Sequence, residues 1–244
     1  MSSRSEGPSR AQRHVVVLTG AGISAEAGLA TFRDAGGLWE GQRPEEIATP
    51  EAWARDPKKV WRFYQQRRAG LLAAEPTVAH SALAEFERAA AAVGIGFDLI
   101  SQNVDDLHVR AGSQPISMHG QLFELECERC GNRVVDREQV DPARFVSCTA
   151  CGFERLRPAV VWFGEVPRYL DRIEQAVLRA TEFVCCGTSG AVYPAAGLVA
   201  AARGQGARCW MQALEPPDNL DPGDRFVPGN ATEALPAILE ELLR

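Results

Sequence analysis

An apolar run followed at once by a glycine-rich turn stands near the start of the chain. The run spans residues 15–18, and Gly20 and Gly22 follow it, with Ala25 in the third small position of a G-x-G-x-x-G/A pattern. Consecutive apolar residues before such a turn are typical of a strand buried on both faces of a parallel sheet. The pattern favours a phosphate at the backbone N–H groups of the next helix start, although a ligand-free turn can carry the same glycines.

The residues after this turn leave the pattern of a plain dinucleotide-binding unit. Such a unit continues with a long helix, a second strand and an acidic residue about 20 positions on. Here Thr31, Phe32 and Arg33 follow, and then the glycine-rich segment DAGGLWEG with Trp39. We expect a flexible loop beside the glycine turn.

Strand-like apolar runs alternate with helical patterns along the rest of the chain. Asp56 followed by Pro57 is a typical helix start, with aspartate as the N-cap and proline in the first turn. The alternation predicts an α/β fold, with a Rossmann-like parallel sheet and helices on both faces. The predicted strands are 14–19, 97–102, 159–163, 183–187 and 207–212, and the predicted helices are 56–74, 81–93, 106–111, 167–180, 194–203 and 231–243.

Two stretches, 36–74 and 123–153, interrupt this alternation, and we expect them to form a smaller lobe of helices and a cysteine-bearing ribbon. The Rossmann core of a single domain, 14–244, then comprises about 14–35, 75–122 and 154–244, after a disordered tail over 1–13. A ligand cleft is expected between core and lobe, at the carboxyl ends of the strands.

Four of the seven cysteines are spaced C-x2-C-x17-C-x2-C. Each C-x2-C pair sets two thiolates on one tight turn, and four thiolates satisfy tetrahedral zinc without an open position for catalysis. The spacing therefore predicts one structural zinc ion, held by Cys127, Cys130, Cys148 and Cys151. An odd cysteine count with two such pairs indicates metal and buried thiols instead of disulfides, hence a reducing, cytoplasmic setting.

Composition excludes several function classes. The net charge of −6 offers no basic surface for direct nucleic-acid binding. No apolar run approaches the roughly 20 residues of a membrane span, so no membrane partner is expected. The polar first 13 residues lack the apolar core of a secretory signal.

Polar residues follow two predicted strands at the edge where α/β sheets bind ligands. Asn103 and Asp105 follow the second strand, although Asp105 can equally cap the helix 106–111. Gly187, Thr188 and Ser189 follow a later strand, where they fit a ligand contact or an ordinary turn.

His119 is the candidate general base among the four histidines. The ordinary pKa of a histidine suits proton transfer near neutral pH, and the adjacent Gly120 permits another group to approach closely. His14 and His80 fit structural roles, and His108 is expected on the surface of its helix.

Tyr64 and Arg67 lie three positions apart on the predicted helix 56–74 and so share a face. They fit either a half-buried tyrosine beside a solvated arginine or two donors that bind a carboxylate in the cleft. The apolar run that ends in Gly164 and Glu165 fits either a core strand or an edge that an extended peptide joins.

Taken in order, these motifs resemble the sirtuin (Sir2) family of NAD-dependent protein deacylases. The resemblance rests on GAGISAEAGLATFRD, FYQQR, QNVDDLH, MHG, the two C-x2-C pairs, LRPAVVWFGE and GTS, and extends from Val15 to about the C-terminus. It implies that NAD is consumed as a co-substrate, that zinc is structural and that acylated-lysine proteins are the partners. The oligomeric state stays open, and a monomer is compatible with the sequence.

The resemblance also implies roles for individual residues. His119 would be the general base, with Asn103 and Asp105 at the nicotinamide end. NAD would contact Gly20, Ala21, Gly22, Ser24, Ala25, Thr31, Phe32, Arg33, Trp39, Gln102, Asn103, Asp105, Gly187, Thr188, Ser189, Ala213, Leu214 and Ala231. The acyl-lysine peptide would contact Tyr64, Arg67, Val161, Trp162, Phe163, Gly164 and Glu165.

The implied reaction transfers the acyl group from lysine to ADP-ribose and gives nicotinamide, O-acyl-ADP-ribose and free lysine. Tyr64 and Arg67 are similar to the signature of bacterial and mitochondrial sirtuins that remove succinyl and malonyl groups. We therefore expect these acyl groups as substrates, with acetyl as a third. The alternatives are a mono-ADP-ribosyltransferase on the same NAD site and a non-catalytic NAD-sensing module.

Three positions depart from the family pattern. Ala213 stands where the family has the asparagine of Asn-x-Glu, so a contact to the adenine ribose is either lost or supplied by Gln212. Ala159 replaces a histidine of the carboxylate-specific class, and Ala27 replaces a serine. We expect these changes to alter NAD affinity and to leave the chemistry intact.

Overall fold

The computed structural model describes residues 13–30, 39 and 41–244. The strands, in chain order, are β1 (His14–Thr19), β2 (Gly96–Ser101), β3 (Ile116–Ser117), β4 (Gly120–Glu126), β5 (Arg133–Val135), β6 (Arg157–Val160), β7 (Glu182–Cys186), β8 (Arg208–Ala213) and β9 (Arg225–Pro228). The helices are α1 (Gly22–Ala25), α2 (Pro44–Ile47), α3 (Pro50–Arg55), α4 (Pro57–Ala73), α5 (Val78–Ala92), α6 (Leu107–Ala111), α7 (Leu170–Arg179), α8 (Leu198–Gly204) and α9 (Ala231–Leu243).

A six-stranded parallel sheet forms the larger part of the fold, in the order β3-β2-β1-β7-β8-β9. The apolar run at residues 15–18 lies in β1 and is buried on both faces of the sheet, as predicted. Val15 and Val17 pack with α5 and α9 on one face. Val16 and Leu18 pack with α7 and α8 on the other. The Rossmann-like architecture is therefore confirmed, and the strand order places β1 at its centre.

A second, three-stranded antiparallel sheet carries the cysteine-rich segment, in the order β5-β4-β6. Its core is rich in aromatic side chains from α3 and α4, among them Trp53, Trp61 and Tyr64, and it includes the ligand candidates Cys127 and Cys148. Asp56 caps α4 by accepting a hydrogen bond from the Lys59 N–H, with Pro57 in the first turn, as predicted.

The prediction that the strand at 159–163 joins the parallel sheet is wrong. The strand is observed as β6 and pairs antiparallel with β4, with Gly120 opposite Val160. An apolar run shows that a strand is buried but not which sheet buries it. Strands β3, β4, β5 and β9 were not predicted, because β3 has two residues and the others lie in segments with few apolar runs.

Three predicted helices differ at their starts. The helix predicted over 81–93 begins three residues earlier, at Val78, where Thr77 and His80 form a capping box. The helix predicted from residue 167 begins at Leu170, after Tyr169 adopts a left-handed backbone with φ of 60°. The helix predicted over 194–203 is divided into a 3₁₀ turn, Ala195–Gly197, and α8. No helix in the described part of the chain has both the length and the apolar character required to cross a membrane.

Candidate active site

A cleft of about 720 Å³ lies beyond the carboxyl ends of β1, β2, β7 and β8 and extends to α4 and the residues after β6. Its volume falls within the range of ligand pockets. Every predicted cofactor- and substrate-contacting residue in the described part of the chain lines this cleft. The predicted contacts Thr31, Phe32 and Arg33 lie outside the described residues.

The two glycine turns meet backbone to backbone on the floor of the cleft. A Cβ on Gly20 would lie 2.7 Å from the Gly187 carbonyl oxygen, and one on Gly22 would lie 2.7 Å from the Gly187 Cα. Gly187 itself has a φ of +64°. Glycine is therefore required at all three positions, because any side chain would drive the turns apart.

The backbone N–H groups of Gly20 and Gly22 do not point to a bound phosphate, as the glycine pattern had suggested, because both are hydrogen-bonded within the protein. The Gly20 N–H donates to the Cys186 carbonyl at 2.9 Å, and the Gly22 N–H donates to the Gly187 carbonyl at 2.8 Å. These two groups are thus unavailable to a phosphate. The glycines allow close packing of the turns and leave room above them, which is compatible with a bound dinucleotide.

Asn103 and Asp105 meet Ser24 at the inner end of the cleft. The amide nitrogen of Asn103 donates to the Gly20 carbonyl at 3.1 Å and to the Ser24 hydroxyl at 3.2 Å. The Ser24 hydroxyl in turn donates to Asp105 at 2.9 Å. Burial raises the pKa of Asp105, against hydrogen bonds from Ser24 and the Leu107 N–H.

The two carboxylate oxygens of Asp105 have different partners in the protein. One carboxylate oxygen accepts the Leu107 N–H at 3.1 Å, at the first residue of α6, while the other accepts from Ser24. The cap and the cleft contact therefore use different oxygens of one side chain.

His119 lines the cleft between β3 and β4, with its ring orientation fixed from behind. Its Nδ1–H donates to the Gln102 carbonyl oxygen at 2.8 Å, because a carbonyl can only accept. This fixes the tautomer in which Nε2 carries a lone pair. Burial lowers the pKa of His119, so the ring is neutral and able to accept a proton at pH 7.

Gly120 explains how this histidine is placed. It has a φ of +77°, and a Cβ there would lie 2.1 Å from the Ala159 carbonyl oxygen. The close approach expected at this glycine is therefore the contact between β4 and β6.

The expectation of a surface position for His108 is wrong. Its side chain is buried, and its Nε2 forms a hydrogen bond of 3.0 Å with the Thr19 hydroxyl. Its ring lies 4.7 Å from that of His80. His80 closes a capping box with Thr77 at the start of α5, which confirms its structural role.

Tyr64 and Arg67 both line the cleft from α4. Tyr64 is buried, and its hydroxyl oxygen accepts the Trp162 indole N–H at 3.0 Å. The Arg67 guanidinium lies 4.3 Å from the centroid of Trp39 and is half-buried. The alternative of a solvated arginine beside a half-buried tyrosine is therefore wrong. Tyr64 is fully buried against Trp162, and Arg67 packs against Trp39.

The peptide-edge candidate, residues 161–165, is held by hydrogen bonds of its own. The N–H groups of Val161, Trp162 and Phe163 donate to the His119 carbonyl at 2.8 Å, the Glu165 carboxylate at 2.8 Å and the Ala48 carbonyl at 2.9 Å. An incoming peptide therefore cannot pair with these three N–H groups.

Arg157 locks this segment from the side. Its guanidinium donates to both oxygens of Glu165, at 2.7 and 2.9 Å, and stacks 3.6 Å from the Trp162 ring centroid. A bidentate pair with an added ring contact defines one geometry for the segment.

Ala213, Leu214 and Ala231 line the opposite end of the cleft. Gln212, proposed as a substitute for the missing asparagine, accepts the Cys186 thiol at 3.1 Å and donates to the Gly229 carbonyl at 2.7 Å. Its amide thus joins neighbouring strands, which favours the alternative that the asparagine contact is lost.

The four predicted zinc ligands converge in the smaller sheet region. Their sulfur atoms all lie within 4.8 Å of one another, with 3.6 Å between Cys127 and Cys151 and 3.7 Å between Cys130 and Cys148. A tetrahedron with Zn–S bonds of about 2.3 Å has sulfur–sulfur edges of about 3.8 Å. The cluster therefore fits one structural zinc ion, and all seven cysteines are free of disulfides.

Sequence reasoning missed several residues of the cleft wall. Glu26 lines it and binds the start of α9, accepting from the Thr232 N–H at 3.2 Å and the Thr232 hydroxyl at 2.6 Å. Tyr193 lines it with an exposed ring. Glu26 lies within the glycine motif and was open to detection, whereas nothing in the local pattern marks Tyr193.

Comparison with known proteins gives a consistent result. The sequence profile of the Sir2 family matches residues 20–194. An NAD-dependent protein deacylase of Caulobacter vibrioides is 48% identical over 231 residues, which cover 94% of this chain and 96% of that protein. The NAD-dependent protein deacylase SIR2rp3 of Trypanosoma brucei brucei is 46% identical over 233 residues, which cover 94% of each chain. The solved complex of a Sir2 homolog with NAD has a TM-score of 0.85 at 39% identity, over 96% of this chain and 93% of that one.

Proposed function

The chain belongs to the Sir2 family, and on that premise we propose that it is an NAD-dependent protein deacylase that prefers succinyl and malonyl groups on lysine. The observation that carries the acyl preference is the presence of Tyr64 and Arg67 on the wall of the cleft that also contains His119. A hydroxyl donor and a guanidinium side by side suit an acyl chain that ends in a carboxylate.

NAD, when bound, supplies the ADP-ribosyl group that accepts the acyl group and releases nicotinamide. Residues of this chain that would hold it are the paired glycine turns, Thr188 and Ser189 along the phosphates, and Asn103 and Asp105 at the nicotinamide end. The dense bonding among Asn103, Asp105 and Ser24 supports this assignment, because it holds those side chains in place before any ligand arrives.

His119 is proposed as the general base. Its Nε2 accepts a proton from the hydroxyl group that must become the nucleophile towards the acyl carbon, while Nδ1–H stays on the Gln102 carbonyl. The lowered pKa supports this role, because the base form is present at neutral pH.

Tyr64 and Arg67 are proposed to bind the distal carboxylate of the acyl chain. Burial raises the pKa of Tyr64 well above its ordinary value, so its hydroxyl stays protonated and can donate. The Trp39 ring, whose centroid lies 4.3 Å from the Arg67 guanidinium carbon, holds that group at the cleft wall, and its planar N–H groups suit a carboxylate.

The test compares a succinyl-lysine peptide with its acetyl-lysine twin, each incubated with the zinc-loaded enzyme and NAD and followed by mass spectrometry. We expect faster reaction of the succinyl peptide with formation of O-succinyl-ADP-ribose. Arg67→Met, which removes the charge and keeps the chain length, should abolish that preference. Arg62→Met is the matched control, since Arg62 is exposed on the same helix and does not line the cleft.

The other outcomes decide between functions. Reaction of the acetyl peptide alone would refute the carboxylate preference and leave the deacylase. ADP-ribose attached to the peptide without deacylation would favour the transferase, and NAD binding without nicotinamide release would favour a sensing module.

A further inference from the structure

The segment after β5 joins the cysteine-bearing sheet to two other parts of the cleft. Asp136 forms an ion pair with Arg68 of α4, with 3.1 Å between the Arg68 Nη2 and the carboxylate. Its neighbour Arg137 forms an ion pair with Asp106, and the guanidinium lies 4.5 Å from the centroid of Phe123 in β4. Asp136 and Arg137 therefore connect this segment to two different elements, α4 through Arg68 and the residues before α6 through Asp106.

Asp106 is an unusual partner, because it is charged and almost completely buried. Its side chain is 4% exposed, and one carboxylate oxygen accepts from Arg137 while the other has no hydrogen-bond partner among the described residues. A buried carboxylate is costly unless a cation compensates it. Arg137 is the cation that the described structure places against it, so the position of Asp106 depends on Arg137.

Asp106 directly follows Asp105, which binds Ser24 at the nicotinamide end of the cleft. The same turn is held from its other side, since the Leu122 N–H of β4 donates to the Val104 carbonyl at 2.7 Å. The segment 103–106 is therefore fixed at Val104 by a backbone bond and at Asp106 by a side-chain ion pair, both from the cysteine-bearing sheet.

We propose that Arg137 is a positioning residue for NAD: through its ion pair with Asp106 it holds the 103–106 turn so that Asn103 and Asp105 present the correct geometry to the nicotinamide end. Arg137 is not among the residues that line the cleft. The proposal rests on the proposed NAD site and is independent of which acyl group the enzyme removes.

The test uses the zinc-loaded full chain and three readouts: the dissociation constant of NAD by calorimetry, the KM values for NAD and for the acyl peptide, and the melting temperature. Arg137→Gln should weaken NAD binding roughly fivefold, with a smaller change in the peptide KM. Arg133→Gln is the matched control, because Arg133 forms a more exposed pair with Glu126 in the same sheet. It should leave NAD affinity unchanged.

A second variant separates positioning from stability, since Arg137→Gln also leaves Asp106 buried without its cation. In the double variant Arg137→Gln/Asp106→Asn, the buried charge is gone, so the melting temperature should recover while NAD affinity stays low. Recovery of both together would overturn the proposal and leave a structural ion pair. Unchanged NAD affinity in Arg137→Gln would overturn it as well.

Failure of this inference is distinguishable from failure of the proposed function. If the wild-type enzyme binds NAD but removes no acyl group, the deacylase proposal fails while the calorimetric comparison of variants still stands. If the wild-type enzyme binds no NAD, both fail.

Discussion

The indole N–H of Trp162 donates to the hydroxyl oxygen of Tyr64 over 3.0 Å, between two buried side chains from different parts of the chain. The tyrosine oxygen is the acceptor in this bond, so its own O–H is left to donate. Trp162 in turn is held by the stacked Arg157 guanidinium. The direction in which Tyr64 donates is therefore set by a residue outside α4.

This relationship predicts the effect of Trp162→Phe, which keeps an aromatic ring and removes the N–H. Freed from that bond, Tyr64 can rotate its hydroxyl away from the acyl chain, so the ratio of kcat/KM for succinyl over acetyl peptides should fall. A lost hydrogen bond of about 1 kcal/mol corresponds to roughly a fivefold decrease. Steady-state kinetics with both peptides measure the ratio, and an unchanged ratio would show that Tyr64 does not depend on Trp162.

The lowered pKa of His119 predicts the acid limit of activity. A general base works only when deprotonated, and burial keeps His119 deprotonated below its ordinary pKa of 6.5. The acid limb of the kcat/KM profile should therefore fall below pH 6.5 and not at or above it. Formation of O-acyl-ADP-ribose, the product of the base-dependent step, measured from pH 5 to 9 tests this, with His119→Ala as the control that should lack most of the activity at every pH. A limb centred above pH 7 would contradict the assignment.

The sequence predicted the elements whose signals are local. The strand with its glycine turn, the Asp56–Pro57 helix start and the four-cysteine pattern each need only a few consecutive residues, and each is confirmed. The apolar run at β6 shows the limit, because its burial was readable and its pairing with β4 was not. Strand pairing depends on residues far apart in sequence, which no single segment contains.

The residues of the candidate site could be predicted from local motifs, whereas their burial and hydrogen bonds could not. The order of motifs was sufficient to assemble His119, Asn103, Asp105, Tyr64 and Arg67 around one cleft. Burial of His108 was not apparent, since a short helix of five residues has no clear polar face. Nor were the hydrogen bonds of the Val161 and Phe163 N–H groups, because their acceptors are the distant His119 and Ala48 carbonyls.

The geometry of the cysteine cluster predicts that one zinc ion stabilises the smaller sheet. The four sulfurs lie at tetrahedral spacing, and Cys127 and Cys148 belong to the core of this region. Cys148→Ser should lose the zinc and lower the melting temperature, with new proteolytic cleavage between residues 127 and 151. Cys186→Ser, at a buried cysteine outside the cluster, should retain it. Elemental analysis that finds zinc in both variants would contradict the assignment.

The buried pair His80 and His108 predicts that the protein loses stability in mild acid. Burial lowers the pKa of His80 to about 4, and burial together with the neighbouring His80 lowers that of His108 to about 3, against an ordinary 6.5. The native state therefore keeps both rings neutral while the unfolded chain takes up protons below pH 6.5. The free energy of unfolding should consequently fall by up to about 1.4 kcal/mol per pH unit for each histidine, until the native pKa values are reached.

Urea unfolding at pH 7 and pH 5 tests this effect, because carboxylates such as Asp98 and Glu165 have lowered pKa values and lose their pairs only at lower pH, while the raised pKa of Asp105 acts in the opposite direction. We expect a decrease of about 4 kcal/mol between the two conditions from these two histidines, to which His119 adds in the same direction. His108→Gln keeps a side-chain amide that can donate to or accept from Thr19 and removes the titrating ring, so it should reduce the decrease by about 1 to 2 kcal/mol. An equal decrease in wild type and variant would show that His108 is not the source.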